Sequence, residues 1–300
     1  MAVITSALIQ ALNTGFRKDF QSAYDQMAAV SHWSKIATEV PSSTTSNTYG
    51  WLSQMPRLRE WVGDRVIKDI KEHGYQITNK SFEATVGVPR TAVEDDSVGM
   101  YRPVISGLGR SAAEFIDELV FSLLKNGHNS NCFDGQYFFD TDHPIYPNHD
   151  GTGTATVASN VTVGAGDAWY LLDTNNILKP LIWQNRKAAQ LVSMTQDTDE
   201  KVFMSNEYRY GVDMRGNAGY AFWQLAHKSQ AVLDEAGYSA ARTAMMSLKA
   251  DGGKSLNVRP NLLVVPPSLE GKARSLILKD KDAGNPWYGT CEILVSPWLL

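Results

Sequence analysis

Phe82-Glu83-Ala84-Thr85-Val86-Gly87-Val88 runs, past Glu94-Asp95-Asp96-Ser97, into a stretch with a different period. In the first part Phe82, Ala84, Val86 and Val88 alternate with Glu83 and Thr85, the pattern of a strand with one dry and one wet face. In the second, Tyr101, Val104, Ile105, Leu108, Ala112, Phe115, Ile116, Leu119, Val120 and Leu123 fall three or four apart, one stripe of a helix. Asn126-Gly127 supplies a stop, because both residues tolerate the left-handed turn that ends helices. The acidic cluster suits the positive end of the helix dipole. Pro103 must then sit in an early turn or at a kink. Gly107 and Gly109 each cost roughly 1 kcal/mol against alanine. From Pro103 to Asn126 such a helix spans about 36 Å. It reads either as a long core helix or as a bar that bends near one end.

Three hundred residues with 43% apolar content can bury one elaborated core or two ordinary ones. Charged residues make up 20% and leave a net charge of -4, so no general basic excess marks a phosphate-gripping protein. Cys132 and Cys291 are far apart and form no CxxC pair, which excludes a zinc knuckle or a disulfide scaffold and suits a reducing compartment. No leader-like block opens the chain and no apolar run approaches ~18 residues, so a soluble, cytosol-made protein with no membrane partner is expected.

Helical spacing of Ile9, Leu12, Phe16, Phe20, Tyr24 and Met27 predicts helix over residues 1–35, with Thr14 before Gly15 as a cap for a second piece. Pro41 to Thr48 is rich in small hydroxyl residues and reads as a linker. Trp51 to Arg65 mixes two tryptophans with arginines. Ile67 to Ile70 and Tyr75 to Ile77 read as short strands around His73-Gly74. A ribbon with so little aliphatic core is marginal alone in water. Its packing partner is either another chain, as tryptophan and arginine at interface hot spots suggest, or the body of its own chain.

Beyond a loop-rich stretch from Cys132 to Gly166, strands are predicted at Trp169 to Leu172 and Leu181 to Trp183. Tyr208, Tyr210, Val212 and Met214 alternate ahead of a turn at Gly216-Asn217, with a return strand at Tyr220 to Trp223. Ala240 to Leu248 marks a helix. Leu262 to Val265 is a strand, after which Ser268 caps a helix from Leu269 to Leu278. Ile293 to Val295 closes as a strand. The class is α+β without regular alternation.

Chemistry is thin. Asp140, Asp142 and His143 are the candidate ligands for a divalent cation, although Asp-x-Asp-His-Pro also makes an ordinary Asx turn. Cys132 and His128 are too near in sequence for a typical nucleophile–base pair. No Walker, GxSxG or HExxH pattern occurs. No catalytic residue and no cofactor is expected.

Several segments resemble one family, the major head (capsid) subunits of Mu-like phages and prophages. They are Asn13-Thr14-Gly15-Phe16 with Phe20, Pro41-Ser42-Ser43-Thr44, and Asn47-Thr48-Tyr49-Gly50-Trp51-Leu52. Pro56-Arg57-Leu58-Arg59-Glu60-Trp61 with Gly63-Asp64-Arg65 follows, then Phe82-Glu83-Ala84-Thr85-Val86. Asp134-Gly135-Gln136 and Phe138-Phe139-Asp140-Thr141-Asp142-His143-Pro144 come next. Tyr210-Gly211-Val212, Asn217-Ala218-Gly219-Tyr220 and Trp223-Gln224-Leu225-Ala226 complete the set.

The resemblance implies an α+β, tailed-phage major capsid (HK97-like) fold. Its parts map as an N-terminal arm at 1–48, an extended β-hairpin loop at 49–81, spine helix and peripheral-domain elements at 82–165, and β-rich and axial-domain elements at 166–300. The β-rich stretch Leu171 to Leu225 precedes the Leu262 to Leu278 unit, a departure from the simplest version of that fold. The resemblance further implies a non-enzymatic shell subunit, made in the bacterial host cytoplasm and residing in the virion. It would assemble with itself into pentamers and hexamers around double-stranded DNA held by weak, non-specific contact. Scaffold, portal and decoration proteins are the other implied partners. Trp51, Arg57, Arg59, Glu60, Trp61, Asp64 and Arg65 are the expected assembly contacts. Two alternatives remain open: an encapsulin-type nanocompartment shell, and a metal-dependent enzyme using Asp140, Asp142 and His143.

Overall fold

Thr5 opens the first helix of the computed structural model, which describes residues 5–53, 74–95, 97–279 and 284–300. Its hydroxyl accepts from the Leu8 amide, an N-cap bond that starts α1 (Ser6–Val30). The helix continues unbroken through Thr14-Gly15. Thr14 does not cap a second piece, because its hydroxyl donates to the Gln10 carbonyl one turn back. A short α2 (Trp33–Ile36) leads into β1 (Ala37–Pro41) and β2 (Ser46–Tyr49). After a 3-10 turn at Gly50–Ser53 come β3 (Tyr75–Thr78), β4 (Lys80–Pro89) and α3 (Arg90–Glu94).

A second 3-10 turn, Ser97–Tyr101, feeds the long helix α4 (Arg102–Lys125), with Pro103 in its first turn, where no amide donor is needed. That first turn holds no acidic residue, so the cluster ahead of it does not sit on the helix itself. The helix stops where the sequence predicts, but for another reason. Asn126 stays right-handed (φ -88, ψ 8), and a Cβ on Gly127 would lie 2.6 Å from the Phe139 ring. Gly127 is small to let that ring in.

Short strands β5 (His143–Ile145), β6 (Thr156–Ala158) and β7 (Val161–Thr162) precede β8 (Trp169–Leu172) and the long β9 (Leu181–Met194). Then come α5 (Glu200–Ser205), the equally long β10 (Glu207–Tyr220), β11 (Ala226–Ser229) and α6 (Glu235–Met246). The chain closes with β12 (Leu262–Val265), α7 (Glu270–Leu278) and β13 (Glu292–Val295). Ser268 does not cap α7: it lies in a 3-10 turn, and its hydroxyl donates to Asp167.

Two sheets organise these elements. The first has order β1-β9-β10-β4, with β10 antiparallel to both long neighbours and β1 parallel to β9. The expected hairpin turn at Gly216-Asn217 is absent, since β10 passes straight through it. Gly216 instead permits a close approach, because a Cβ there would fall 2.5 Å from the Gln184 carbonyl oxygen and against the Trp183 ring. A register shift between Arg215 and Gly216 absorbs the local irregularity. The second sheet has order β13-β12-β8-β11-β7. Every residue of β8, β11 and β12 in it is buried.

Helix α4 ties two apolar cores together. Its early residues Ile105 and Ala112 join Phe16 and Phe20 of α1 and Tyr208, Tyr210 and Val212 of β10. Its later residues Ile116, Val120, Phe121 and Leu124 belong to the larger core around the second sheet. Gly109 has a packing role: a Cβ would strike the Phe20 carbonyl, so glycine here lets α1 lie close along α4. Asp117, buried on α4, accepts from the amides of His32 (3.0 Å) and Trp33 (2.6 Å) and pins the elbow between α1 and α2. The N-terminal helix is therefore docked on its own chain.

Candidate functional site

Arg57, Arg59, Glu60, Trp61, Asp64 and Arg65 lie outside the described residues, and so do the expected strand Ile67 to Ile70 and its turn at His73. Trp51 belongs to the 3-10 turn at Gly50–Ser53. What the structure defines is the β2–β3 ribbon on either side of residues 54–73, hereafter the root. β2 and β3 pair antiparallel from Ser46↔Thr78 to Tyr49↔Tyr75. One step further, a Cβ on Gly74 would lie 2.6 Å from the Gly50 backbone and 2.8 Å from Thr48 Cγ2. Residues 50 and 74 thus lie side by side, and only glycine fits the crossing.

A buried polar network underlies that root, where the sequence predicts a linker. Tyr49 donates its hydroxyl proton to Gln184 Oε1 (2.8 Å). Gln184 Nε2 in turn donates to the Ile77 carbonyl (3.0 Å) and to Asn79 Oδ1 (2.8 Å). Asn79 Nδ2 donates to Ser42 Oγ and to the Thr44 carbonyl, both at 2.9 Å. The Ser42 hydroxyl then donates to Asn47 Oδ1 (2.9 Å). Gln184 is fully buried, and Asn79 and Ser42 nearly so. Hydroxyls that look like linker residues are here partners of strands more than thirty positions away. Burial pushes the neighbouring Tyr75 phenol up to about 12, so the root carries no charge near neutral pH. Sequence reasoning missed Gln184; the only trace is a polar side chain following the apolar Leu181-Ile182-Trp183.

The first sheet has one covered face and one open face. Along β9 the burial alternates, and Val192 and Met194 point outward with 56% and 42% of their surface exposed. At the same end of the sheet, where β9 and β4 finish and β10 begins, α5 exposes Phe203 (82%) and Met204 (71%). Met100 (71%), in the 3-10 turn after α3, adds to this apolar end. Val192 and Met194 lie on the open face of β9, whereas α5 sends Val202 into the core on the covered face and leaves Phe203 and Met204 in water.

Asp140, Asp142 and His143 do not form a common site. Asp140 spends its oxygens on its own loop, accepting from the Tyr137 amide three residues back and from the adjacent Thr141 amide, without forming the expected Asx turn. Asp142 is exposed, and slight desolvation together with the adjacent Asp140 carboxylate raises its pKa. His143 turns inward, fully buried, and stacks on Trp223 with ring centroids 3.8 Å apart. Its Nδ1 meets Asp134 Oδ2 at 2.7 Å, while Asp134 Oδ1 accepts from the Cys132 thiol (3.0 Å) and the Gln136 amide (3.1 Å).

Cys132, Asp134 and His143 are the one potential metal-ligand group among the described residues, their ligand atoms all within 4.8 Å. Both Asp134 oxygens already receive protein donors, and burial pushes the Cys132 thiol well above its ordinary range, away from the thiolate a metal requires. Burial alone would raise the Asp134 carboxyl too, but the bonds from His143 and Cys132 outweigh it and hold the group low. The trio fits a hydrogen-bonded staple that closes the loop after α4.

The fold has relatives at high similarity. A family model described as the Mu-like prophage major head subunit gpT matches residues 9–299. The Mu-like prophage FluMu major head subunit of Haemophilus influenzae is 48% identical over 285 residues, 93% of this chain and 92% of that one. The major capsid protein of Escherichia phage Mu is 44% identical over 306 residues, 99% of this chain and 100% of that one. Among solved structures, a chain of the procapsid of bacteriophage JBD30 superposes with TM-score 0.87 at 53% identity, covering 98% of this chain and 100% of that one. No helix among the described residues is long and apolar enough to cross a membrane. Matched along nearly its whole length in sequence and in shape, the chain belongs to the Mu-like prophage major head subunit family, the major capsid proteins from which the heads of these virions are built.

Proposed function

We propose that this capsid subunit builds its shell by leaving two features for copies of itself to complete: the segment departing from the β2–β3 root, and the open apolar end of the first sheet. The observation that carries the reading is that exposure: Val192 and Met194 lie on the face of β9 opposite to the packed Leu191, and Phe203 and Met204 lie on α5 beside buried Val202. Subunits would join head-to-tail around five- and six-fold axes, since heterologous contacts close into rings when the rotation fits. A stable contact buries on the order of 1,600 Å² in total. Trp51, Arg57, Arg59, Glu60, Trp61, Asp64 and Arg65 would lie over a neighbour, adding aromatic burial and arginine–carboxylate pairs. The first sheet with α1 and α4 would act as the peripheral body, and the second sheet with α6 and α7 as the axial one. The mild net charge of -4 supports enclosure of double-stranded DNA without tight gripping. Scaffold, portal and decoration proteins would be further partners.

Electron microscopy of the chain expressed with and without its scaffold tests this. Closed shells are expected from the wild type, and folded chains without shells from Trp61→Ala. Normal particles from that variant would remove the proposed role of the segment, and wild-type chains that never associate would sink the whole reading.

A further inference from the structure

We propose that Gln184 is the positioning residue for assembly: it fixes the pose of the β2–β3 ribbon on the first sheet, and subunit joining depends on that pose. This rests on the function proposed above and deepens it. Gln184 lies on β9, in the first sheet, and is paired in register with Val40 of β1 and Asn217 of β10. Its side chain has no exposure, and its amide engages groups on both root strands, Tyr49 of β2 and Ile77 of β3, together with Asn79 just beyond.

The geometry shows why a polar hub suits this place. A two-stranded ribbon of four residues per strand holds little area to set its own angle against the sheet. Apolar packing is non-directional. Hydrogen bonds weaken steeply when bent, so three of them converging on one planar amide admit a single orientation. A second anchor works the same way on the neighbouring strand β10: Asn217 Nδ2 donates to the Thr78 carbonyl, and Tyr75 OH accepts from the Tyr220 amide. Glycine is required where the ribbon meets the body. A Cβ on Gly219 would run into the Ile77 side chain, and one on Gly74 into the Gly50 backbone. Every neutral donor and acceptor at the root thus serves to hold one pose.

The test compares wild type with Gln184→Leu, Tyr49→Phe and the double variant Gln184→Leu/Asn79→Leu. Shell yield and uniformity come from sedimentation and electron microscopy, and thermal melts and amide exchange are measured on the unassembled chain. Gln184→Leu is expected to melt cooperatively, exchange faster only in β2 and β3, and give about tenfold fewer closed shells. Tyr49→Phe, which removes one hydroxyl, should shift yield in the same direction by less. The double variant still deprives the Tyr49 hydroxyl and the Ile77 carbonyl of Gln184, so it should regain neither melting temperature nor shells.

Normal, uniform shells from Gln184→Leu alongside faster β2–β3 exchange would overturn the proposal. If Gln184→Leu fails to fold, Tyr49→Phe decides, and unchanged shell yield there overturns it. Full recovery of shells by the double variant also overturns it, since packing alone would then set the pose. Absence of shells from the wild type sinks the underlying reading and this inference with it. Equal yields of uniform shells from wild type and from Gln184→Leu sink the inference alone.

Discussion

The two sheets of this subunit solve the burial problem in opposite ways. In the second sheet, β8, β11 and β12 are buried residue by residue, as Trp169–Leu172, Ala226–Ser229 and Leu262–Val265 show. Such runs arise when both faces of a strand are covered within the same chain. In the first sheet, β10 alternates between buried and half-buried along most of its length, and β9 changes from fully buried at Leu181 to Gln184, through an exposed stretch, to alternating from Ala188 on. The central strands of the second sheet are covered on both faces by the subunit itself. The long strands of the first sheet are covered on one face only, and β9 also carries Gln184 beneath the β2–β3 ribbon.

That contrast sets the size of expected effects. Leu263 has no exposure at the middle of β12, so Leu263→Ala should cost about 3 kcal/mol of stability in a denaturant melt. A change below about 1 kcal/mol would mean that the second body is looser than its burial implies.

The closed body should also be the acid-sensitive one. Burial depresses the His227 imidazole to about 4, and its ring shares a hydrogen bond with Thr162 Oγ1. A group whose folded pKa lies below its unfolded value contributes fully above about pH 6.5 and loses that contribution as pH falls toward 4. The loss amounts to about 3 kcal/mol for the unassembled chain. His227→Gln should flatten this part of the pH–stability curve. An unchanged slope would show that acid acts elsewhere.

On the open body the same kind of change should hardly register in stability. Phe203→Ser and Met204→Ser should each shift the unassembled chain by no more than about 0.5 kcal/mol, yet lower the yield of closed shells. A large loss of stability would mean that α5 packs on its own subunit. The smallest effect concerns the Cys132–Asp134–His143 staple. Incubation with EDTA should leave the melting temperature where it is. A chelator-induced drop, with stoichiometric metal released, would turn the staple into a metal site.

Local period was legible in the sequence; long-range contact was not. The strand at Phe82 to Val88 and the stripe from Tyr101 to Leu123 stand out by their periods; Ile105, Ala112, Ile116 and Val120 of that stripe are buried, while Val104 is exposed and the buried face also takes in Phe121 and Leu124. Gly216 reads as a turn because its reason for being glycine, the Trp183 ring and Gln184 carbonyl, lies on the paired strand β9. Pro41 to Thr48 reads as a linker because the partners of its hydroxyls, Asn79 and through it Gln184, are distant in sequence. His143 reads as a neighbour of Asp140 and Asp142, while folding turns it to Asp134 and Trp223. The family itself was readable, because its segments are spread along nearly the whole chain.

Side-chain oxidation footprinting of unassembled chains against closed shells tests the contrast most directly. Met100, Met194, Met204 and Phe203 should be modified readily in free subunits and protected several-fold in shells, while buried Met245 stays slow in both. Equal modification of those four residues in free subunits and in shells would contradict the claim that copies of the chain complete this surface.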